Sequence, residues 1–177
     1  LQNEPRKKNI EYYKVPAEDT GFPSDIFDLI TVAQAIHWMD FEKFYGEVRR
    51  TSRPAGLLAV IGYGMIQINP KLDPIIDQFY EYTFSEYFSE NRKYLDEHYR
   101  NIPFPFEEIS SPEFSQKYDW RLEDLEGYFN TWSTVQKFKD EKGFNPADSV
   151  MDEIKTIWPK EEKREVTFPV FLRLGRI

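Results

Sequence analysis

FDLITVAQAIHW, residues 27–38, is the stretch that decides the predicted fold. Its first part, residues 29–33, is a mostly apolar run that is rich in β-branched residues and too short for a helix. This pattern predicts a strand buried on both faces, as in a parallel sheet. Gln34, His37 and Trp38 then follow where the strand should end. Because open α/β sheets bind ligands just outside the carboxyl ends of their strands, these three residues are candidates for a binding site.

Segments on either side of this stretch predict an alternation of strands and helices. Residues 10–15 have strand composition and stop at Pro16, and residues 57–61 predict a second buried strand. Between the strands, Asp40 is a good N-cap for a helix whose apolar face recurs at i, i+3, i+4 and i+7, namely Phe41, Phe44, Tyr45 and Val48. This order predicts an α/β fold with crossover connections and a doubly wound sheet.

The rest of the chain predicts further helices, followed by a final strand. Helices are expected over residues 74–88, 122–132 and 146–158, and strands over residues 114–120 and 166–174. Residues 89–112 should be irregular or weakly helical, since their prolines interrupt regular elements. Pro169 predicts an edge or a bulge in the last strand, because proline cannot donate a ladder hydrogen bond.

The composition limits the classes of partner. A net charge of -8 argues against general affinity for nucleic-acid phosphates or acidic membrane surfaces. The sequence has no cysteine, which fits a reducing, cytoplasmic location, and with two histidines no histidine-based metal site is expected. Aromatic residues make up 17% of the chain, so part of it should pack or hold a flat apolar surface. A carrier of apolar ligands is therefore one alternative function.

Four segments in sequence order resemble the class I S-adenosylmethionine-dependent methyltransferases: residues 17–19, 27–31, 34–38 and 56–60. The nearest resemblance is to the small-molecule branch similar to trans-aconitate methyltransferases, which residues 118–120 and 131–133 also resemble. The resemblance covers the chain from about residue 10 to its end. It implies S-adenosylmethionine as cofactor and methyl transfer to a small molecule, with a carboxylic acid as one candidate acceptor.

The resemblance also implies the residues of the site. Cofactor contacts are expected from residues near the ends of the predicted strands: Ala17, Glu18, Ala33, Gln34 and His37. Substrate contacts are expected from three aromatic residues: Trp38, Tyr63 and Tyr87. The alternatives are a solvated acidic loop at 17–19 and an ordinary packed pair at 37–38. No catalytic residue is assigned, because positioning and desolvation of an already activated methyl group supply much of the acceleration.

The sequence departs from this family in its first part. The family's glycine-rich turn and the acidic residue that ends its second strand have no counterpart, Pro16 replaces a polar residue, and Ala55 replaces a glycine. We therefore expect a partial Rossmann-like sheet lacking its first two strands, in a single domain over 1–177 with a helical insertion or lid at about 70–112.

The same departure defines the alternatives for function. The chain would be the C-terminal portion of a methyltransferase domain, and an enzyme only if the missing part is present in a longer or composite protein. The alternative is a non-catalytic module whose open sheet edge pairs with another chain. A homodimer or a strand exchange that completes the sheet is then the expected assembly.

Overall fold

The computed structural model describes residues 7–85 and 91–177. In chain order the elements are β1 (Phe27–Ala33), a short 3₁₀ helix (Ile36–Trp38), α1 (Phe41–Thr51), β2 (Ser52–Tyr63), α2 (Asp73–Ser85), α3 (Arg92–Asp96), β3 (Glu107–Ile109), β4 (Phe114–Trp120), α4 (Leu122–Thr131), α5 (Ser133–Lys142), α6 (Ala147–Lys155) and β5 (Arg164–Arg176). They form two compact units. The first contains the described residues of 1–61, 100–111 and 172–177, and the second those of 62–99 and 112–171.

The first unit contains an open mixed sheet formed by β1, β3 and the parts of β2 and β5 that belong to this unit, residues 52–61 and 172–176, in the strand order β1-β2-β5-β3. β1 and β2 are parallel, with Ile30 opposite Leu58, and α1 connects them. β3 runs antiparallel to β5, with Ile109 opposite Leu174. The predicted α/β, Rossmann-like class is confirmed. The prediction that two strands of the sheet are missing stays a prediction, as do the single domain and the insertion at about 70–112.

β1 is much less buried than the sequence predicts. Val32 is its one fully buried residue, and Leu29 keeps 52% of its surface exposed. Among the described residues, β2 is the one strand that pairs with β1, so the opposite edge of β1 has no ladder. The prediction of burial on both faces is therefore wrong, because burial of a strand depends on neighbours that its own sequence does not specify.

α1 forms where it was predicted. The Lys43 N–H donates to the Asp40 side chain at 3.2 Å, which satisfies one of the free donors at the start of the helix. Three of the four residues predicted for its inner face, Phe44, Tyr45 and Val48, are buried. The Tyr45 hydroxyl donates to the carbonyl of Pro103, and burial raises the pKa of Tyr45 to about 12.

Two strand predictions in the first unit need correction. Residues 10–15 are exposed and form no strand, because strand composition without a pairing partner does not create a ladder. β2 begins at Ser52, five residues before the predicted start at 57, and pairs there with Phe27 across an irregular register. Ala55 lies within this added segment with a left-handed φ of 63°, a conformation that suits the glycine it replaces.

The second unit is built around the buried faces of four helices. α2, α4, α5 and α6 contact one another, and α5 was not predicted from the sequence. Their core contains large fully buried side chains: Leu72, Ile76, Leu125, Phe129, Met151, Ile154 and Trp158. None of the helices in the described part of the chain is long and apolar enough to cross a membrane.

The predicted strands of the second unit are present, but the expectation for Pro169 is wrong. β4 pairs antiparallel with β5 over its whole length, with Ser115 opposite Pro169. On the other side, the Pro169 carbonyl accepts the Gly64 N–H at 2.8 Å. Pro169 therefore has neighbours on both sides without a bulge, because proline loses only its donor and its carbonyl still pairs.

The region 89–112 contains more regular structure than predicted. α3 agrees with weak helicity, but β3 is a short strand that the sequence did not indicate. Its prolines limit the length of these elements without preventing them. Residues 86–90 lie outside the described part of the chain, so the predicted end of the helix at 88 lies there too.

Replacing Gly62 with alanine should destabilise the protein by about 1–3 kcal/mol, the usual cost of overpacking. An added Cβ would lie 2.1 Å from Cε2 of Phe171, so the ring would have to move. Gly127→Ala is the matched control, since nothing lies within 4 Å of its added Cβ in α4. That change should be neutral or stabilising by up to about 1 kcal/mol. Equal urea midpoints for the two variants would contradict the close packing at Gly62.

Candidate functional site

The carboxyl end of β1 makes an abrupt turn at Gln34. The Gln34 N–H donates to the Ile61 carbonyl at 2.9 Å, which continues the pairing with β2 by one residue. Its φ of 52° is left-handed, a conformation that costs a residue other than glycine roughly 1–2 kcal/mol. Such outliers cluster at ligand sites. The strained residue Gln34 therefore directly follows β1, the strand that the sequence analysis singled out. It lies at the carboxyl end of that strand, where α/β proteins bind ligands.

The short 3₁₀ helix places His37 and Trp38 in different environments. Ile36 and His37 are buried, so they anchor the segment in the first unit. The His37 ring lies 4.9 Å from the Trp38 ring with an interplanar angle of 47°, whereas Trp38 keeps 62% of its surface exposed. The alternative of an ordinary packed pair thus fits His37 better than Trp38. An exposed indole fits the rim of a site better than a core.

The loop that carries Ala17 and Glu18 is fastened to α1 at two points. Oε1 of Glu18 accepts the N–H of Asp40, the N-cap residue, at 3.1 Å. The Thr20 N–H donates to Glu47 at 2.9 Å, and the Thr20 hydroxyl donates to the same carboxylate. The predicted cofactor loop is therefore held through its own Glu18 carboxylate and through the Glu47 carboxylate of α1, so it is not solvated on all sides.

Glu47 is the residue of this region that the sequence analysis missed. Arg50 donates to both of its carboxylate oxygens, at 2.8 and 2.6 Å. These hydrogen bonds, followed by those from Thr20, lower the pKa of Glu47 to about 2 against the opposing effect of burial. A carboxylate held this firmly in its charged form is structural rather than a proton acceptor. The available signal was an i, i+3 Glu–Arg pair on the buried side of the helix.

A cleft of about 270 Å³ lies within the first unit. Its lining is mostly apolar and includes residues from the loop, β1 and α1: Ala17, Thr20, Thr31, Ala33, Ala35 and Phe44. Two of the five predicted cofactor residues, Ala17 and Ala33, therefore share one cavity. Its volume is near the lower end, about 300 Å³, of the range for small-molecule sites.

The predicted substrate residues are not all in this unit. Tyr63 belongs to the second unit, where it is 41% exposed and its ring meets that of Phe168 edge-on at 5.9 Å. Tyr87 lies outside the described residues. The roles predicted for Trp38, Tyr63 and Tyr87 stay predictions.

The residues at the first unit's cleft fit the adenine end of a nucleoside cofactor. The small side chains of Ala17 and Ala33 leave room for a flat ring. Glu18 is not among the residues that line the cleft; its Oε2 forms no hydrogen bond with the residues that the structure describes and can still accept one. The cleft extends along the whole of β1, from Phe27 to Ala33, and along α1 to Thr51. The open α/β sheet with its parallel strands β1 and β2 is that of the Rossmann-like class.

Comparison with known proteins assigns the family within that class. A family model for a methyltransferase domain matches residues 1–60. A Dictyostelium discoideum protein whose name assigns it provisionally to the methyltransferases is 31% identical over 183 residues, covering 99% of this chain and 70% of that protein. A solved structure from Anaeromyxobacter dehalogenans, provisionally a type II methyltransferase, is 31% identical with a TM-score of 0.87, covering 99% of this chain and 75% of that one.

The chain belongs to the class I S-adenosylmethionine-dependent methyltransferases. The resemblance seen in the sequence is thereby confirmed at the level of the family, and S-adenosylmethionine is the cofactor of that family. The closer likeness to the trans-aconitate branch stays a prediction.

Proposed function

We propose that this chain takes part in methyl transfer from S-adenosylmethionine to a small molecule, with a carboxylic acid as the acceptor class, within a longer or composite protein. The observation that carries the proposal is the cleft of the first unit, where Ala17 and Ala33 line one cavity beside the strained turn at Gln34. The cysteine-free sequence supports the cytoplasm as its location.

The chemistry requires little of the protein's side chains. When bound, the cofactor supplies a methyl group already activated by the adjoining sulfonium charge. A carboxylate oxygen forms the new bond to the methyl carbon, the carbon–sulfur bond breaks, and its electron pair stays on sulfur. The products are a methyl ester and S-adenosylhomocysteine, and no proton is transferred. No general base is needed, which agrees with the absence of an assigned catalytic residue.

The chain's own residues then act by binding and orienting. Glu18 accepts a hydrogen bond from the adenine amino group, and Ala17 and Ala33 border the flat ring. Gln34 and His37 complete the cofactor edge at the end of β1. Positioning of this kind can supply several kcal/mol of a reaction barrier.

The free edge of β1 supports the composite assembly. Leu29 is half exposed, and the outer edge of β1 has no ladder among the described residues. A strand with one unpaired edge and apolar side chains tends to recruit another strand. We propose that a strand of the same longer protein, or of a second copy, pairs there and completes the sheet.

Glu18→Gln should weaken binding of S-adenosylmethionine by about five- to tenfold, because a neutral amide replaces a charged acceptor. Isothermal titration of the purified chain with the cofactor measures this. Glu113→Gln is the matched control, since Glu113 is exposed in the second unit and should leave the affinity unchanged. Equal affinities for the wild type and Glu18→Gln would refute the adenine role of this loop.

The acceptor class has its own test. Cofactor carrying a labelled methyl group is incubated with the longer or composite protein that contains this chain and with small carboxylic acids, and the products are treated with dilute alkali. Methyl esters release volatile labelled methanol under these conditions, whereas methylated amines and ethers keep the label. A base-stable label would exclude a carboxylate acceptor while leaving methyl transfer itself intact.

The second candidate is a non-catalytic module that pairs with another chain, and the exposed edge of β1 is the observation that favours it. In that case, sedimentation should show concentration-dependent association, while calorimetry of the complete or paired protein shows no heat at millimolar cofactor. A carrier of apolar ligands would instead bind fatty acids tightly and would not bind the cofactor.

A further inference from the structure

We propose that a cleft in the second unit binds a zwitterionic small molecule of the α-amino acid class. This inference goes beyond the proposed function, because it concerns another cavity and requires neither the cofactor nor a methyl acceptor. Every residue that lines the cleft belongs to the second unit, so the site lies within one compact part of the chain.

The cleft has a volume of about 660 Å³, inside the usual range of about 300–1,000 Å³ for small-molecule sites. One wall is formed by residues 68–71, the loop that leads into α2, and the other by residues after α6 and around the start of β5. Ile68 and Ile157 are half-buried and give the cleft an apolar part. Four charged side chains also line it: Lys71, Glu162, Arg164 and Glu165.

Hydrogen bonds hold the loop before α2 and use its backbone donors. Oδ1 of Asp73 accepts the N–H groups of Ile68 and Asn69, at 2.7 and 3.0 Å. The Asn69 side chain accepts the N–H groups of Lys71 and Leu72, at 2.9 and 3.1 Å. Because these residues satisfy one another, a ligand on this wall must be recognised by side chains rather than by the N–H groups at the start of the helix.

Arg164 is held on the opposite wall with part of its guanidinium unused. Its Nε donates to Glu162 at 2.8 Å, and its Nη2 donates to the Ile157 carbonyl at 2.8 Å. The guanidinium also lies 5.4 Å from the ring centroid of the buried Trp158. Nη1 forms no hydrogen bond with any residue that the structure describes, although only 20% of the side chain is exposed. A fixed cation with two spare N–H groups is suited to bind a carboxylate.

Two more charged groups at the cleft have capacity for a ligand. The ammonium of Lys71 forms no ion pair or side-chain hydrogen bond within the described part of the chain. Glu165 pairs through Oε1 with Lys117 at 2.7 Å, and its Oε2 has no donor among the described residues. Both side chains of that pair are more than half exposed, so the pair is weak and competes little with a ligand.

The balance of charge decides the class of ligand. Two cations and two carboxylates line the cleft, so a ligand with charge of one sign would be attracted by two of these groups and repelled by the other two. A zwitterion reduces that repulsion, because its carboxylate can bind Lys71 and Arg164 while its ammonium binds Glu165. An α-amino acid carries both groups on one carbon, and an aliphatic side chain suits the apolar surface of Ile68 and Ile157.

The full chain is titrated with L-leucine as the probe, without cofactor, and is followed by NMR. We expect shifts in the backbone amides around Lys71 and Arg164 and in the indole N–H of Trp158, which donates to the Glu162 carbonyl. Two analogues isolate the charges, since 4-methylpentanoic acid lacks the ammonium and 3-methylbutylamine lacks the carboxylate. Each should bind about tenfold more weakly than leucine, as expected for the loss of charge-assisted hydrogen bonds.

Two surface variants assign the charges of the ligand. Lys71→Gln should weaken leucine binding by about five- to tenfold without weakening that of 3-methylbutylamine. Glu165→Gln should weaken leucine and 3-methylbutylamine by a similar factor without weakening 4-methylpentanoic acid. Lys137→Gln and Glu113→Gln, at exposed positions of the second unit outside the cleft, are the matched controls and should leave leucine binding unchanged. All four positions are exposed, so the urea midpoints should stay close to that of the wild type.

The contrary results are equally specific. Leucine that binds no more tightly than either analogue would indicate a site for a single charge, and inorganic phosphate that binds more tightly than leucine would indicate an anion site. The absence of shifts around Lys71 and Arg164, or full leucine affinity in Lys71→Gln or in Glu165→Gln, would overturn the proposal. Because the titration contains no cofactor, its failure leaves the proposed methyl transfer unaffected.

Discussion

Trp158→Ala should lower the free energy of unfolding by about 3–5 kcal/mol, the range for removing a large aromatic side chain from a core. Trp158 has no exposed surface and belongs to the main core of the second unit. Its Nε1–H donates to the Glu162 carbonyl at 2.8 Å, and the Arg164 guanidinium lies 5.4 Å from its ring centroid. Alanine would leave a large cavity, an unpaired carbonyl and an arginine without its aromatic contact.

Trp38→Ala is the matched control, because it removes the same side chain from an exposed position. Because 62% of the surface of Trp38 is exposed, Trp38→Ala should lower the free energy of unfolding by no more than about 0.5 kcal/mol. Urea denaturation followed by far-UV circular dichroism measures both variants. Similar midpoints for the two would show that Trp158 does not hold the core together. A stable Trp38→Ala protein is also suitable for testing whether this indole contacts the methyl acceptor.

The sequence predicted correctly those helices and strands that are specified by residues close together in the chain. α1 was predicted because its cap at Asp40 and its apolar stripe both lie in its own sequence. β4 was predicted because Phe114, Gln116, Tyr118 and Trp120 alternate with polar residues. In these cases the local preference and the final fold agree, as is usual in natural sequences.

The failures concern properties that depend on distant neighbours. The sequence predicted that β1 is a strand but not that it is exposed, since its burial depends on which strands lie beside it. Residues 10–15 have the same β-branched and aromatic composition and yet form no strand, because no partner pairs with them. The prediction of an edge or a bulge at Pro169 considered only its missing N–H donor, although its carbonyl accepts a hydrogen bond.

The candidate site was predictable mainly through the family resemblance. Composition and periodicity placed Gln34, His37 and Trp38 at the end of a strand, and the structure confirms that location. The grouping of Ala17 with Ala33 in one cleft came from the resemblance, because alanine carries no chemical signal of its own. The pairing of Glu47 with Arg50 was visible as an i, i+3 pair, but its link to the loop was not, because Thr20 is 27 residues away.

Glu47→Gln should destabilise the protein by about 2 kcal/mol near neutral pH, because a buried charged hydrogen-bond network loses its anion. Glu47 is 8% exposed and accepts hydrogen bonds from Arg50 and Thr20. Arg50 also donates to the Phe22 carbonyl at 2.6 Å, so the pair joins α1 to the end of the loop. The figure allows for the solvent exposure of Arg50, whose side chain is 39% accessible.

The pH dependence follows from the direction of the Glu47 shift. Hydrogen bonds from Arg50 lower the folded-state pKa to about 2, whereas an unfolded glutamate titrates near about 4.3. The stabilisation is therefore fully present above the unfolded pKa and is lost as pH falls from about 4.3 through 2. The wild type should lose stability across this window, and Glu47→Gln should lose less of it. Parallel stability curves for the two proteins would contradict the depressed pKa.

The same change should weaken the cofactor site, because Glu47 both lines the cleft and holds its loop. Thr20 lies in the loop that carries Ala17 and Glu18, so releasing it from Glu47 adds freedom that ligand binding must remove again. Thr20→Val combined with Glu47→Gln forms a double-mutant cycle, and the two effects on stability should be strongly non-additive. Glu42→Gln, at an exposed position of the same helix, is the control for a loss of charge alone. If calorimetry finds full cofactor affinity in Glu47→Gln, the loop does not depend on α1 for its binding conformation.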